Sequence, residues 1–271
     1  VTTSMRFFDT HCHYADTRFD ADREVLLDRA RAAGLTDALI CTTQASDYEK
    51  AKMLARTQRF KYALGLFDLA ADFTREPEAG VEILARALEE SAKDAAEGFA
   101  PAAVGEVGVD RNHIEAGREK ESLFVLDAAA GLALTYNLPL SIHARGALAL
   151  VAGVLKKRRN SALRGVIHAF NGSAEEARVF VKLGFKPGFG SILLNPGARR
   201  IARVFSELAP TDFVLETDAP FMVPFDRRSE PNARTEPVEI ARILEAAARI
   251  RGETPETTAE AAFANARTVF G

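Results

Sequence analysis

Two histidines stand two residues apart in the stretch "FFDTHCH", Phe7 to His13, of a 271-residue chain that has only five histidines. Imidazole nitrogen ligates zinc and transition metals and carries protons near neutral pH. Strand side chains alternate, so an H-x-H pair on a strand turns His11 and His13 to one face and Cys12 to the other. That makes a two-toothed ligand. Four further motifs add Glu106 in "GEVGVD", His143 in "PLSIHAR", His168 in "GVIHAF" and Asp218 in "LETDAP". Nitrogen and carboxylate donors suit zinc, manganese or iron, and magnesium where oxygen dominates. Four histidines and two acids exceed what one ion ordinarily takes. Two divalent ions bridged by one carboxylate use them all, and such pairs clamp the attacking and leaving oxygens of a phosphoryl displacement.

These residues need a scaffold that brings them together. Eight β-rich runs recur: "RFFDTH", "DALICTT", "KYALGLF", "PAAVGEVG", "PLSIHAR", "GVIHAF", "GFKPGFGSI" and "FVLETDAP". Helical patterns separate them, among them "DREVLLDRARAAG", "VEILARALEESAKDAAEG" and "EKESLFVLDAAAGLALTYN". Gly34, Gly98 and Gly184 end helices as C-caps, and "SAEE" from Ser173 reads as a capping box. Eight strand–helix repeats predict a parallel (β/α)8 barrel, an α/β TIM barrel, with extra C-terminal helices from about residue 236. The expected organisation is one domain over residues 1–271. A doubly wound open sheet is the competing architecture, and the chain lacks its G-x-G-x-x-G turn. On the barrel, the six ligand candidates fall at the carboxyl ends of five strands, the face where barrel active sites form.

Other polar residues have plainer readings. Glu216 shares parity with Asp218 and Asp9 with His11, so both are expected to support ligands from behind. Arg145 lies above His143 and is suited to gripping a phosphate in bidentate fashion. His113 reads as a solvent-exposed loop residue, and Cys12 and Cys41 as core. "KKRR", beginning at Lys156, ends a helix where cations suit the dipole.

Composition narrows the class. The chain is 47% hydrophobic and 27% charged, with net charge −3 and two cysteines outside any C-x-x-C pair. That excludes a disulfide scaffold and a broad basic surface, and it predicts a cytoplasmic protein. No apolar run approaches a membrane span and no secretory leader is expected, so no membrane and no obligate protein partner are implied.

The motifs "DTHCH", "GEVGVD", "PLSIHAR", "HAFNGS" and "ETDAPFMVP…RTEP" are similar, in order and spacing, to those of the TatD-type metal-dependent deoxyribonucleases, within the amidohydrolase-like superfamily. The resemblance spans nearly the whole chain, to "NARTVFG". It implies a TIM barrel, two divalent ions (Mg, Mn or Zn) and phosphodiester hydrolysis on DNA as substrate, commonly as a 3′-to-5′ exonuclease. It implies that His11, His13 and Asp218 hold one ion, that His143 and His168 hold the other, and that Glu106 bridges them. Glu106 and Asp218 are then the catalytic acids, with Asp218 as the base for the attacking water. For DNA, Arg145, Asn171, Ser173 and Arg227 are candidate phosphate contacts. Tyr14, Phe67, Phe170 and Phe221 are candidate stacking surfaces. The chain departs from the family pattern at Tyr14, Val109, Arg111, Ala169, Asn171 and Thr235, all around the expected mouth and none a ligand. The alternative is a dinuclear hydrolase of a small amide, lactone or phosphoester. Such enzymes often bridge their ions with a carboxylated lysine on strand four, where this chain has Glu106.

Overall fold

The computed structural model describes residues 5–67, 76–93, 99–158 and 162–271. Eight strands form one sheet in sequential order: β1 (Phe7–Cys12), β2 (Leu35–Ile40), β3 (Lys61–Leu64), β4 (Ala103–Gly108), β5 (Leu140–His143), β6 (Gly165–Ile167), β7 (Phe185–Phe189) and β8 (Val214–Leu215). Every adjacent pair is parallel. The seam closes between β1 and the segment after β8. Asp218 N–H donates to His11 O at 2.9 Å, and His13 N–H donates to Ala219 O at 2.8 Å. The hydrogen bonds that close the barrel therefore run through three of the candidate ligand residues.

The helices follow as α1 (Arg23–Ala33), α2 (Tyr48–Gln58), α3 (Pro77–Lys93), α4 (Arg111–Glu115), α5 (Glu119–Thr135), α6 (Leu148–Lys157), α7 (Ala174–Lys182), α8 (Arg199–Glu207), α9 (Glu239–Arg251) and α10 (Pro255–Phe270). Gly34 caps α1 at φ +116°, and Gly184 follows α7 at φ +88°. Gly98 and Arg159 lie outside the described residues. The capping box at α7 is present in full. Two helices, α2 and α4, carry weak sequence signals. The buried side of α2 is Tyr48, Ala51, Ala55 and Gln58, too small and polar to print an apolar stripe, and α4 is one turn long.

The core divides in two. The larger part lies between strands and helices. The smaller holds Phe8, Leu39, Ala63, Ala103, Val166 and Val214 with Val269 and Phe270 of α10. It is the floor of the lumen, and α10 plugs it: the Phe8 and Phe270 rings stand 6.0 Å apart. Two strands break their alternation on the way up. The β1–β2 register slips between Asp9 and Cys12, and the β4–β5 register slips between Val104 and Val107. As a result Phe8 and His11 both face the lumen, and so do Ala103 and Glu106. Strict period-2 counting from either floor residue points the ligand outward; the irregularity turns it in.

Candidate metal centre

His11, His13 and Asp218 bring their ligand atoms together at the barrel mouth. His11 Nε2 lies 3.3 Å from His13 Nε2. Glu106 Oε2 is 3.5 Å from the first nitrogen and 3.3 Å from the second. Asp218 Oδ1 is 3.7 and 3.4 Å from the same two. Ligands held about 2.0–2.1 Å from a tetrahedral ion stand about 3.4 Å apart, which is the size of this cage.

The other oxygen of Glu106 faces a second group. Glu106 Oε1 is 2.9 Å from His143 Nδ1 and 3.0 Å from His168 Nε2, and those nitrogens are 2.8 Å apart. Neighbouring ligands of an octahedral ion with bonds of about 2.1 Å stand about 3.0 Å apart, so these three atoms fit one triangular face. His11 also lies near this group, its ring stacked on His168 at 3.8 Å. Its Nε2 is committed toward His13 and its Nδ1 toward Ser141 Oγ at 2.8 Å, so His143 is the better third ligand.

Each ring is aimed from behind. Ser141 Oγ holds His11 Nδ1, and the Cys41 carbonyl accepts from His13 Nδ1 at 3.1 Å. Asp110 Oδ2 accepts from His143 Nε2 at 2.7 Å, and Arg145 grips both Asp110 oxygens at 2.7 Å. Glu216 Oε1 faces His168 Nδ1 at 3.7 Å and accepts from the Ala169 N–H. Outer carboxylates of this kind fix the imidazole tautomer and raise its basicity. Small residues make room for them. A Cβ on Gly188 would sit 2.2 Å from Glu216 Oε2, and one on Gly65 would sit 2.2 Å from Glu106 N. Asp218 at φ +57° and Ala169 at φ +47° hold left-handed backbone beside the ligands, conformations the surrounding bonds must enforce.

The electrostatics are those of a cation site. Burial opposes ionisation of Glu106, but His168, His11, His13 and His143 outweigh it and hold the carboxyl well below its usual range. Burial likewise opposes charging His13, but the Asp218 and Glu106 carboxylates raise its pKa to about 10. His168 is raised for the same kind of reason, and His143 through Asp110 and Glu106. His11 is lowered by burial and by His168. The buried acids favour positive charge on their neighbours, and a divalent ion can supply it in place of protons. Donor type, spacing and charge all fit.

The remaining expected residues fall in different places. A cleft of about 400 Å³ over the centre is walled by Phe67, Asn112, His113, Arg145 and Phe221. Arg145 is at the mouth as expected, but its fork is spent on Asp110. Ser173 Oγ is the α7 N-cap, accepting from Glu176 N–H at 3.2 Å. Arg227 pairs with Glu230 and Glu239 in the β8 loop, and it does not line the cleft. Asn171 is exposed, its side chain held by Arg200. Tyr14 and Phe170 are core residues, because Tyr14 donates to buried Asp9 and Phe170 packs on Phe180 and Phe189. Asp9 binds the Thr217 N–H rather than a ligand ring, and so ties β1 to the β8 loop. His113 is a correction: it is 2% exposed, with Ser122 Oγ on its Nδ1, because α5 packs over it. Asp110 and Ser141 are the supports that sequence reading passed over. Both share strand parity with a ligand, Asp110 with Glu106 and Ser141 with His143.

Fold and site together define a metal-dependent barrel hydrolase. The profile of the TatD related DNase family matches residues 8–271. An uncharacterized metal-dependent hydrolase, YjjV of Escherichia coli K12, is 32% identical over 98% of both chains. Its solved structure superposes with a TM-score of 0.87 over 99% of each chain. A Pantoea ananatis protein named 3′-5′ ssDNA/RNA exonuclease TatD is 33% identical, over 97% of this chain and 99% of that one. The chain belongs to the TatD related DNase family.

Proposed function

We propose that this protein is a nuclease that hydrolyses phosphodiester bonds of DNA from the 3′ end, using two divalent cations bridged by Glu106. One observation carries the reading: the two oxygens of Glu106 face two separate ligand groups, His11, His13 and Asp218 on one side and His143 and His168 on the other. The activity in the name of the Pantoea relative supports the substrate class. We take residues 1–271 as one domain and, on its two free buried cysteines, as a cytoplasmic one. Among the described residues no helix is long and apolar enough to cross a membrane.

When bound, the ions lower the pKa of a bound water and neutralise charge growing on the phosphoryl group. The chain's own residues do the positioning. Ser141, the Cys41 carbonyl and Asp110 occupy the outer nitrogens of His11, His13 and His143, which leaves the inner lone pairs for ligation. Asp218 is the base. Its carboxyl is buried, yet His13, His168 and His11 lower its pKa, so it stays ionised and accepts the proton of the attacking water. Arg145 fixes Asp110 and leaves half its side chain exposed above the cleft, adding positive potential where phosphate enters.

The test is nucleotide release from 3′-end-labelled single-stranded DNA with Mg²⁺ or Mn²⁺, with chelator, and with Glu106→Ala. Metal-dependent loss from the 3′ end that disappears in the variant is expected. No cleavage by folded, metal-loaded protein overturns the reading and transfers it to small amides, lactones or phosphoesters.

A further inference from the structure

The protein carries net charge −3, and three cations near its cleft are already paired: Arg145 with Asp110, Arg18 with Asp16 and Lys50 with Asp20. A long polyanion therefore gains from another foothold. One lies between α7 and α8, in an open groove of about 500 Å³ walled by Arg178, Arg199, Arg200 and Arg203. Two acids share it, Glu175 and Glu207, so the lining keeps a positive surplus. Both helices begin at the carboxyl ends of strands, on the face that holds the metal centre.

The groove is tied to the centre by the loop after β6. Arg200 donates to Gly172 O at 2.7 Å, and to the carbonyl and side chain of Asn171 at 3.0 and 2.9 Å. Gly172 is four residues past His168, at most about 14 Å of extended chain. The anchored guanidinium is thus preorganised. Arg203 leans on Glu207 at 2.9 Å, and Arg178 reaches Glu175 at 3.5 Å. Arg199, at the first position of α8, has no acidic residue in its own first turn and forms no ion pair among the described residues. The α7 terminus is less inviting to an anion, since Ser173 caps it and Glu175 and Glu176 occupy its first turn. The α8 side of the groove is where phosphate is favoured.

We propose that this arginine groove binds the phosphate backbone of the uncut part of a single-stranded nucleic acid whose end lies in the metal cleft. The inference rests on the nuclease reading for its substrate. It adds a second, non-catalytic contact a few nucleotides from the cut. The groove binds charge and spacing, not bases, so it holds any sequence and its grip weakens with salt. It also predicts that long strands are bound better than dinucleotides.

The test uses full-length protein and the double variant Arg199→Gln/Arg203→Gln, two exposed positions outside the metal centre. Anisotropy of a labelled single-stranded 20-mer is followed in chelator across a salt series. Each single-strand phosphate contact contributes about 0.7 to the slope of log affinity against log salt, so the variant should lose about 1.4 from it. Metal-dependent hydrolysis of a dinucleotide, too short to reach the groove, should be unchanged. Equal slopes and affinities for the two proteins overturn the groove. So does equal competition by polyglutamate, which would make the occupant an acidic protein. A reduced slope with no cleavage of any nucleic acid keeps the groove and sinks the nuclease reading instead.

Discussion

Asp110→Asn isolates one half of the centre. Asp110 accepts four hydrogen bonds, each at 2.7 Å: Oδ2 from His143 Nε2 and Arg145 Nε, and Oδ1 from Arg145 Nη2 and the Asn112 N–H. An amide keeps the shape but has one NH₂ end. With that end in place of Oδ1 it opposes Arg145 Nη2 and the Asn112 N–H; turned about, it opposes Arg145 Nε and the His143 Nε2–H. The clash with His143 is relieved if His143 shifts its proton to Nδ1, the nitrogen that faces Glu106 and His168. A protonated Nδ1 cannot ligate. Loss of an outer carboxylate of this kind typically lowers metal affinity about 10- to 100-fold, or about 1.4–2.7 kcal/mol. The effect should be confined to the ion at His143 and His168, because Asp110 bonds to His143 and not to His11, His13 or Asp218. Stepwise Mn²⁺ titration by calorimetry separates the two. A variant that binds both ions as tightly as wild type, or loses both equally, refutes the assignment of His143 to a second site oriented by Asp110.

Three further expectations follow from the same geometry. His13, raised to about 10 by the Asp218 and Glu106 carboxylates against the opposing effect of burial, should be protonated at neutral pH without metal. Loading with Mn²⁺ at pH 7 should then release the His13 proton, read from calorimetry in buffers of different ionisation enthalpy; no release contradicts it. Burial, partly offset by bonds from Thr217 and Tyr14, raises Asp9 to about 7. A carboxyl raised on folding binds its proton more tightly in the native state, so stability falls as pH rises from about 4 to 7, by up to about 4 kcal/mol. Asp9→Asn should flatten that part of the urea-denaturation profile, and parallel profiles for the two proteins would count against it. Phe270→Ala, which unplugs the lumen floor, should cost about 3–5 kcal/mol in urea denaturation while leaving metal affinity intact; a loss under 1 kcal/mol would mean α10 does not seal the floor.

Much of this was legible in the residues. Repeating strand–helix patterns define the barrel, and all six expected ligands meet at its mouth because each lies at or just past the carboxyl end of a strand. What escaped has physical causes. The ladder slips in β1 and β4 are backbone events without a composition mark, so alternation alone misplaces Asp9. His113 looked like a loop residue, and only the packing of α5 buries it. Arg145, Ser173 and Arg227 were recognisable as anion-binding types, but whether a side chain is free depends on partners distant in sequence, such as Asp110, 35 residues before Arg145. The arginine groove joins residues of two helices, and neither helix is basic enough alone to attract notice.

The bridged centre is tested most directly by anomalous diffraction from crystals of the protein soaked in Mn²⁺. Two peaks about 3.5–4 Å apart are expected, one on each side of the Glu106 carboxylate. One should be ringed by His11, His13 and Asp218, the other by His143 and His168. A single peak at full loading, or a second peak that does not touch His143 and His168, would contradict it.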